Sequence, residues 1–399
     1  MTDFNKKSIE LHKKLKGKIE LSNKAIVESK EDLAVVYSPG VAEPCLQIEA
    51  DENKAYEYTI KGNMIAIVTD GTAVLGLGNI GPKAAIPVME GKAMLFKQFG
   101  GVDAFPICLD TQDSQEIIDT VKRIAPVFGG VNLEDISAPR CFEIESAIQN
   151  LGIPVFHDDQ DGTAIVTLAG ILNSCKVLNK KISDLKVVIN GAGSAGVAIA
   201  KLLRCISLDP NSCLSVKEII ICDSKGIISE DRTNLNPTKI ELLRFSNPNN
   251  IKGNLLDAIK NADVFIGVSK GNLLKAEDIK LMNINPVIFA LANQTPEIMP
   301  EEAYKGGAAI VATGRSDYPN QVNNVLVFPG IFRGALDSRA KRITPEMKLA
   351  AAYALADYVD NPTEQRIIPS TFDVGIAEKV ADAVKNSCAI ISKHKHNRI

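Results

Sequence analysis

The side chains with the most chemistry in them are carboxylates. Gly129-Gly-Val-Asn-Leu-Glu-Asp-Ile-Ser137 carries Glu134 and Asp135 at the end of a short apolar strand. Ile153-Pro-Val-Phe-His157 runs directly into Asp158-Asp159-Gln-Asp-Gly162. Two successive βα units therefore each end a strand in paired acids. In an open α/β sheet the carboxyl ends of neighbouring strands face one crevice, so Glu134, Asp135 and one of Asp158 or Asp159 can converge. Three hard oxygen donors, with water and substrate completing an octahedron, suit Mg²⁺ or Mn²⁺. The same aspartates could equally cap the helices that follow. Lys92 lies among apolar neighbours in Pro87-Val-Met-Glu-Gly-Lys-Ala-Met-Leu-Phe96. Were it buried, desolvation would lower its pKa toward that of a useful base. Tyr37 precedes Pro39-Gly40, a turn that breaks a strand-like run from Leu33 to Ala42. A tyrosine there faces either a cleft or the core.

A second chemistry is written in Lys186-Val-Val-Ile-Asn-Gly-Ala-Gly-Ser-Ala-Gly-Val-Ala-Ile-Ala-Lys-Leu-Leu203. An apolar strand, Val187 to Ile189, leads into Gly191, Gly193 and Gly196 around Ser194 and Ala195, and a helix-period run from Val197 to Leu203 follows. Strand, G-x-G-x-x-G turn and helix in that order bind the pyrophosphate of a dinucleotide on free N–H groups at the helix start. The next apolar run, Ile219 to Cys222, ends in Asp223, where a βαβ unit presents an acid to a ribose. The interval is longer than the usual roughly 20 residues, which implies a loop around Pro210 to Ser215. Asp223 favours NAD, whereas Ser224-Lys225 behind it could hold the 2′-phosphate of NADP.

The elements that position these residues alternate between strands and helices. Met64 to Thr69 reads as a strand entering the glycine loop Asp70-Gly-Thr-Ala-Val-Leu-Gly-Leu-Gly-Asn-Ile-Gly81. That loop's own G-x-G-x-x-G is the inferior dinucleotide candidate, because no acid-tipped strand follows and Pro82 and Pro87 interrupt the next segment. Further strands are expected at 102–109, 264–268, 287–290, 310–312 and 325–328, and helices at 114–124, 141–150 and 162–178. Residues 1 to about 30 read as polar helices, and the pattern from Thr344 onward is helical to a polar tail. Asn293 and Asn324 follow strand ends, as turn residues or as ligands for a carboxylate or a nicotinamide amide.

Composition excludes several classes. The 399 residues are 45% hydrophobic and 23% charged with a formal net charge of −3, an ordinary globular balance that gives no case for nucleic acid or an anionic membrane. No signal-peptide core opens the chain and no 18 apolar residues run together, so a cytoplasmic protein is expected. Eight cysteines without a C-x-x-C pair point to free thiols rather than a disulfide framework or zinc site.

Taken together, the chain resembles a malic enzyme of the short bacterial type from about Tyr37 to the final helices. The motifs are Val-Tyr-Ser-Pro-Gly-Val-Ala, Thr-Asp-Gly-Thr-Ala-Val-Leu-Gly-Leu-Gly-Asn-Ile-Gly, Pro-Val-Met-Glu-Gly-Lys-Ala, Asn-Leu-Glu-Asp-Ile, Val-Phe-His-Asp-Asp-Gln and Asn-Asn-Val followed by Phe-Pro-Gly. The resemblance implies Tyr37 and Lys92 as the catalytic pair and Glu134, Asp135 and Asp159 as metal ligands. It implies Asn293 and Asn324 as malate contacts, Asn293 also facing the cofactor. It implies oxidative decarboxylation of L-malate to pyruvate and CO₂ with reduction of NAD(P). Lys92 would take the hydroxyl proton and Tyr37 would protonate the enol carbon. Asp-Ser-Lys-Gly resembles the NADP-linked members, so NADP is expected ahead of NAD. Ala73 stands where larger members carry an arginine, and Asp161 where short members usually carry histidine. The fold implied is α/β, with an N-terminal catalytic domain over residues 1–160 and a C-terminal Rossmann-type, doubly wound domain with terminal helices over 161–399. A homodimer is the base-rate expectation. Two other readings of the layout stand beside this one: a metal-independent amino-acid dehydrogenase, and a non-catalytic dinucleotide-binding module.

Overall fold

The computed structural model describes residues 3–210 and 212–396, in which short apolar runs become the strands of two sheets. In the first, β1 (Met64–Thr69), β2 (Asp103–Cys108), β3 (Gly130–Leu133) and β4 (Val155–His157) lie in the order β2-β1-β3-β4, all parallel. In the second, β5 (Lys186–Asn190), β6 (Glu218–Asp223), β7 (Gly226–Ile227), β8 (Val264–Gly267), β9 (Val287–Ala290) and β10 (Ile310–Thr313) take the order β10-β9-β8-β5-β6-β7. Only β7 among these is antiparallel, pairing Cys222 with Ile227. The strand order reverses between β5 and β8, and a doubly wound sheet opens its binding crevice at that point. The α/β class and the Rossmann-type sheet are as the sequence implies.

Several local expectations are corrected. Leu33 to Ala42 is not strand-like: Lys30–Val36 is a helix. A capping box outweighs the β-branched residues there, with Ser29 Oγ accepting the Asp32 N–H at 3.0 Å and the Asp32 carboxylate accepting the Ser29 N–H at 2.9 Å. Within the described part of residues 1–30, only Asp3–Leu15 is a full helix before that cap. Pro82 and Pro87 do not interrupt the segment after the glycine loop, which is a single helix, Gly81–Gly100. Pro82 sits in the first turn, where no N–H is needed. Pro87 forfeits one hydrogen bond on an exposed face. Residues 325–328 are not a strand either. The Asn323 side chain accepts the Val325 N–H at 3.0 Å and starts a 3₁₀ turn, Asn324–Leu326, ahead of the helix Phe328–Asp337. The C-terminal helix runs Ile376–His396, and the last three residues of the polar tail lie outside those described.

The two sheets share one apolar core. A single cluster runs from Ile65, Ile67 and Phe96 of the first sheet and its helix to Val187 and Ile189 of β5, through Phe328 and Phe332. The Phe96 ring lies 4.5 Å from that of Phe328 and 5.5 Å from that of Phe332, at distances where tilted aromatic pairs attract. The expectation of free thiols is overturned at one place: Cys205 and Cys213 are disulfide-bonded, their Cα atoms brought to 5.9 Å by the loop between the helix Ser194–Leu203 and β6. Cys45, Cys108, Cys141, Cys175 and Cys222 are free thiols. Among the described residues no helix is long and apolar enough to cross a membrane.

Candidate active site

Because β3 and β4 are paired in parallel with Leu133 opposite His157, the residues that follow both strands leave the sheet at one edge. Glu134, Asp135 and Asp159 each place a carboxylate oxygen within 4.8 Å of the others. The Asp135 N–H donates to Asp159 at 2.8 Å, and Asp135 itself is held at φ +54°, a conformation uncommon outside glycine and enriched at functional sites. Asp158 follows the same strand and is almost wholly buried. Burial, and then the neighbouring Asp159, push the Asp135 carboxyl up to about 8. Burial likewise raises Glu134, Asp158 and Asp159. One oxygen of Asp135 and one of Asp158 have no hydrogen-bond partner. A buried acid cluster with more negative charge than its one lysine can neutralise, and with orphaned oxygens, fits a hard divalent cation.

Lys92, on the helix Gly81–Gly100, is the lysine in that cluster. It is buried, donates to Glu134 at 2.9 Å and to Asp158, and lies 4.1 Å over the ring of Phe328. Burial is therefore real, but its expected consequence is reversed. Desolvation alone would lower the lysine, and the two carboxylates override it and hold Lys92 above its ordinary value. Asn324 donates to the backbone and side chain of Asp158, both at 3.2 Å, and accepts from Thr163 at 3.2 Å. Asn293 belongs to the other sheet, yet a Cβ on Gly76 would come within 3.1 Å of it. The first glycine loop thus lies against the loop after β9. The same loop reaches the acid cluster, with the Ala73 N–H donating to the Asp135 carbonyl at 2.9 Å. Tyr37 is not brought to Lys92: at the end of its short helix it is 70% exposed, and its hydroxyl has no partner among the described residues.

The second glycine turn opens a cleft of about 700 Å³ at the switch point, lined by Gly191, Gly193, Asp223, Ser224, Lys239 and Ser269 among others. Its glycines have distinct duties. Gly191 has φ +130°, and a Cβ there would meet the Val268 carbonyl at 2.7 Å. A Cβ on Gly196 would lie 1.8 Å from the Gly191 carbonyl, so only glycine closes the turn against the helix. Beside Gly193 there is nothing within 4 Å, leaving the open side that a pyrophosphate needs. Ser194 and Ala195 form the first turn of the helix Ser194–Leu203, where N–H groups are free of intrahelical partners.

Sequence reasoning missed four charged residues here. Arg232 and Lys239 both bind Asp223; one lies in the loop after β7 and the other in the helix Pro237–Leu243, and no spacing rule points to either. Lys225 contributes its backbone N–H to Asp223, while its side chain is exposed. Behind the acid cluster, Asp161 pairs with Lys348 at 2.5 Å, and Gln160 donates to Glu145 at 3.0 Å. Burial, and then Asp161, push Glu145 up to about 7.

Comparison with known families settles the relationship. The family model described as "Malic enzyme, NAD binding domain" matches residues 160–389, and "Malic enzyme, N-terminal domain" matches residues 16–117. The chain belongs to the malic enzyme family. It is 56% identical over 385 residues to the bifunctional malic/malolactic enzyme of Bacillus subtilis (strain 168), covering 96% of this chain and 92% of that one. It is 57% identical over 371 residues to the NAD-dependent malic enzyme of Geobacillus stearothermophilus, covering 92% and 76%. It is 47% identical over 387 residues to the NADP-dependent malic enzyme of Escherichia coli (strain K12), covering 92% of this chain and 50% of that one. Among solved structures, the NAD-dependent malic enzyme from Thermotoga maritima superimposes with a TM-score of 0.91 at 50% identity, over 95% of this chain and 98% of that one. Malic enzyme membership sets aside both the amino-acid dehydrogenase and the non-catalytic module.

Proposed function

We propose that the cleft oxidatively decarboxylates L-malate to pyruvate and CO₂, with a divalent cation held by Glu134, Asp135 and Asp159 and with NADP used in preference to NAD. The observation that carries this reading is the buried Lys92 between Glu134 and Asp158, directly beside the three-carboxylate cluster. When bound, the cation supplies a Lewis acid for the substrate's C2 oxygen and engages the charge of Glu134, and the nicotinamide accepts the hydride. Lys92 stands beside that site as the residue to take the hydroxyl proton, and of the two carboxylates that hold its ammonium above the ordinary value, Asp158 and Glu134, Glu134 is the one that would also hold the cation. Asn324, tied to Asp158 and Thr163, and Asn293, against the glycine loop, hold amide groups where a carboxylate can be oriented. Residues 1–160 form the catalytic half and 161–399 the cofactor half.

Tyr37 serves as the acid for the enol carbon, and it does so across a homodimer. The helices Lys30–Val36 and Ala42–Ala50 bury no residue within their own chain, and Leu33, Val35, Tyr37 and Leu46 are all more than half exposed. An apolar face of that kind needs a cover, and a second copy supplies both the cover and a site for the tyrosine. One assay tests the reaction. Malate with Mn²⁺ should yield reduced nucleotide and pyruvate in equal amounts, faster with NADP than with NAD. EDTA-treated protein should be inactive, and full-rate turnover in EDTA would refute the metal assignment.

A further inference from the structure

One buried acid takes no part in the chemistry described so far. Glu297, in the segment after β9, is wholly buried, yet among the described residues no lysine or arginine pairs with it and its donors are backbone N–H groups. Oε1 accepts the Ser269 N–H at 3.0 Å, and Oε2 accepts the Ala292 N–H at 3.1 Å. Those amides begin the loops that leave β8 and β9. Gly267 and Ala290 are paired in register at the ends of these strands, so both loops leave at the edge where the dinucleotide cleft opens. Gly267 makes room for the carboxylate: a Cβ there would lie 2.2 Å from Glu297 Cδ. Burial pushes the Glu297 carboxyl up, and the backbone bonds from Ser269 and Ala292 work against it. A leucine would fill this space without the desolvation cost, and a glutamine offers an acceptor to only one of the two amides.

The residues tied to this carboxylate reach the site from both sides. The Ser269 hydroxyl accepts from the Asn190 side chain at 2.8 Å, and Asn190 ends β5 directly before Gly191 of the pyrophosphate turn. On the other side Ala292 precedes Asn293, whose carbonyl accepts the Thr295 N–H at 2.9 Å across Gln294 at φ +65°. A residue other than glycine persists in that conformation where its surroundings hold it. The Glu297 carbonyl closes the same block, accepting the N–H groups of Leu273 at 2.8 Å and Leu274 at 3.0 Å. Asn293 itself is exposed, beside Gly76 of the first glycine loop.

We propose that Glu297 is a positioning residue: its carboxylate ties the loops after β8 and β9 together and thereby sets the Asn293 amide against malate. Buried behind Ala292, it touches neither substrate nor nicotinamide and acts through the backbone it holds. This deepens the reading above and rests on it for the role of Asn293 as a malate contact.

Glu297→Gln, Asn293→Ala and the two combined test it, each assayed below its Tm with malate, Mn²⁺ and saturating nucleotide. Glu297→Gln should lower kcat/KM for malate by about ten- to a hundredfold, a misplacement of about 1 Å being enough for the upper figure. Its calorimetric affinity for ADP-ribose, which has no nicotinamide, should change by less than about threefold. The double variant should fall no lower than the worse single one, since a residue that acts through Asn293 has nothing left to position. Amide hydrogen exchange should speed up by about tenfold at Ser269 or Ala292, whichever loses its acceptor. Gly267→Ala, which forces the carboxylate aside without removing it, should reproduce the malate loss and decides the matter where Glu297→Gln does not fold. Parent malate kinetics in Glu297→Gln, losses that multiply in the double variant, or an equal loss of ADP-ribose affinity would each overturn the assignment. An Asn293→Ala variant with the parent's malate kinetics defeats the substrate role of Asn293 instead; unchanged amide exchange in Glu297→Gln would then refute the loop clamp as well, and faster exchange would support it.

Discussion

Removing the charge of Asp135 while keeping its shape should stabilise the metal-free protein at alkaline pH and abolish its response to a divalent cation. Burial and Asp159 push this carboxyl from 3.8 up to about 8. Between those values the folded chain holds a proton that the unfolded chain has released, so stability falls as pH rises through the window. The sign is opposite to that of a salt-bridged aspartate such as Asp223. At ~1.4 kcal/mol per pH unit, the whole span amounts to on the order of 5 kcal/mol. Unfolding entropy of about 2 cal/mol/K per residue converts that to about 6 °C of Tm in a chain of this length. Asp135→Asn cannot ionise, so between pH 5 and 8 its metal-free Tm should fall less than the parent's and end several degrees higher. Mn²⁺ at a hundredfold excess over its Kd should add about 2.7 kcal/mol to the parent and almost nothing to the variant. Scanning fluorimetry of EDTA-treated protein, with and without Mn²⁺ across this pH range, measures both effects. A metal-free parent whose Tm rises from pH 5 to 8, or a variant that keeps the parent's Mn²⁺ shift, would refute the reasoning.

Other outcomes follow from single residues. Lys92→Ala should lose malate oxidation in a nucleotide-reduction assay, since the hydroxyl proton has no acceptor, and removing the cation's competitor should leave Mn²⁺ binding intact. Tyr37→Phe should chiefly slow hydrogen exchange at C3 of pyruvate, and exchange at the parent rate would remove Tyr37 from the acid role. Mixing the Tyr37→Phe and Lys92→Ala chains by joint refolding should restore about a quarter of the parent's sites if the tyrosine crosses a dimer with random pairing, and none if it acts within its own chain. Gly196→Ala places a Cβ 1.8 Å from the Gly191 carbonyl, so its NADP affinity by calorimetry should fall at least about tenfold, with strain of more than 1 kcal/mol in the turn.

What could be read from the sequence is what parallel sheets impose. Strand ends in such a sheet face one crevice, so acids placed after β3 and β4 meet whatever else the chain does, and a strand–glycine–helix run makes its turn locally. What could not be read depends on partners distant in sequence. Burial of Lys92 followed from its apolar neighbours, but the direction of its pKa comes from Glu134 and Asp158, which are 42 and 66 residues away. Asp223 read as a ribose acceptor because nothing near it announces that the loop after β7 folds Arg232 back across it. The helix Lys30–Val36 was hidden for a different reason: its β-branched residues suggest a strand, and the cap that decides the matter uses only Ser29 and Asp32.

The arrangement also explains why neither half of the chain can act alone. Glu134, Asp135, Asp159 and Lys92 come from the first half, but Phe328 covers the lysine, Asn324 holds Asp158, and Asn293 meets the glycine loop from the second. Phe328 and Phe332 are in turn packed against Phe96 of the helix beside the first sheet. The aromatic contact that joins the two sheets therefore also sets the dielectric around Lys92. Loosening it would admit water and weaken the lysine's ion pairs along with the core. The strand that leads into the dinucleotide cleft, with Val187 and Ile189, is packed into the same core as Ile65, Ile67 and Phe96, so packing sets the two halves of the site before any ligand binds.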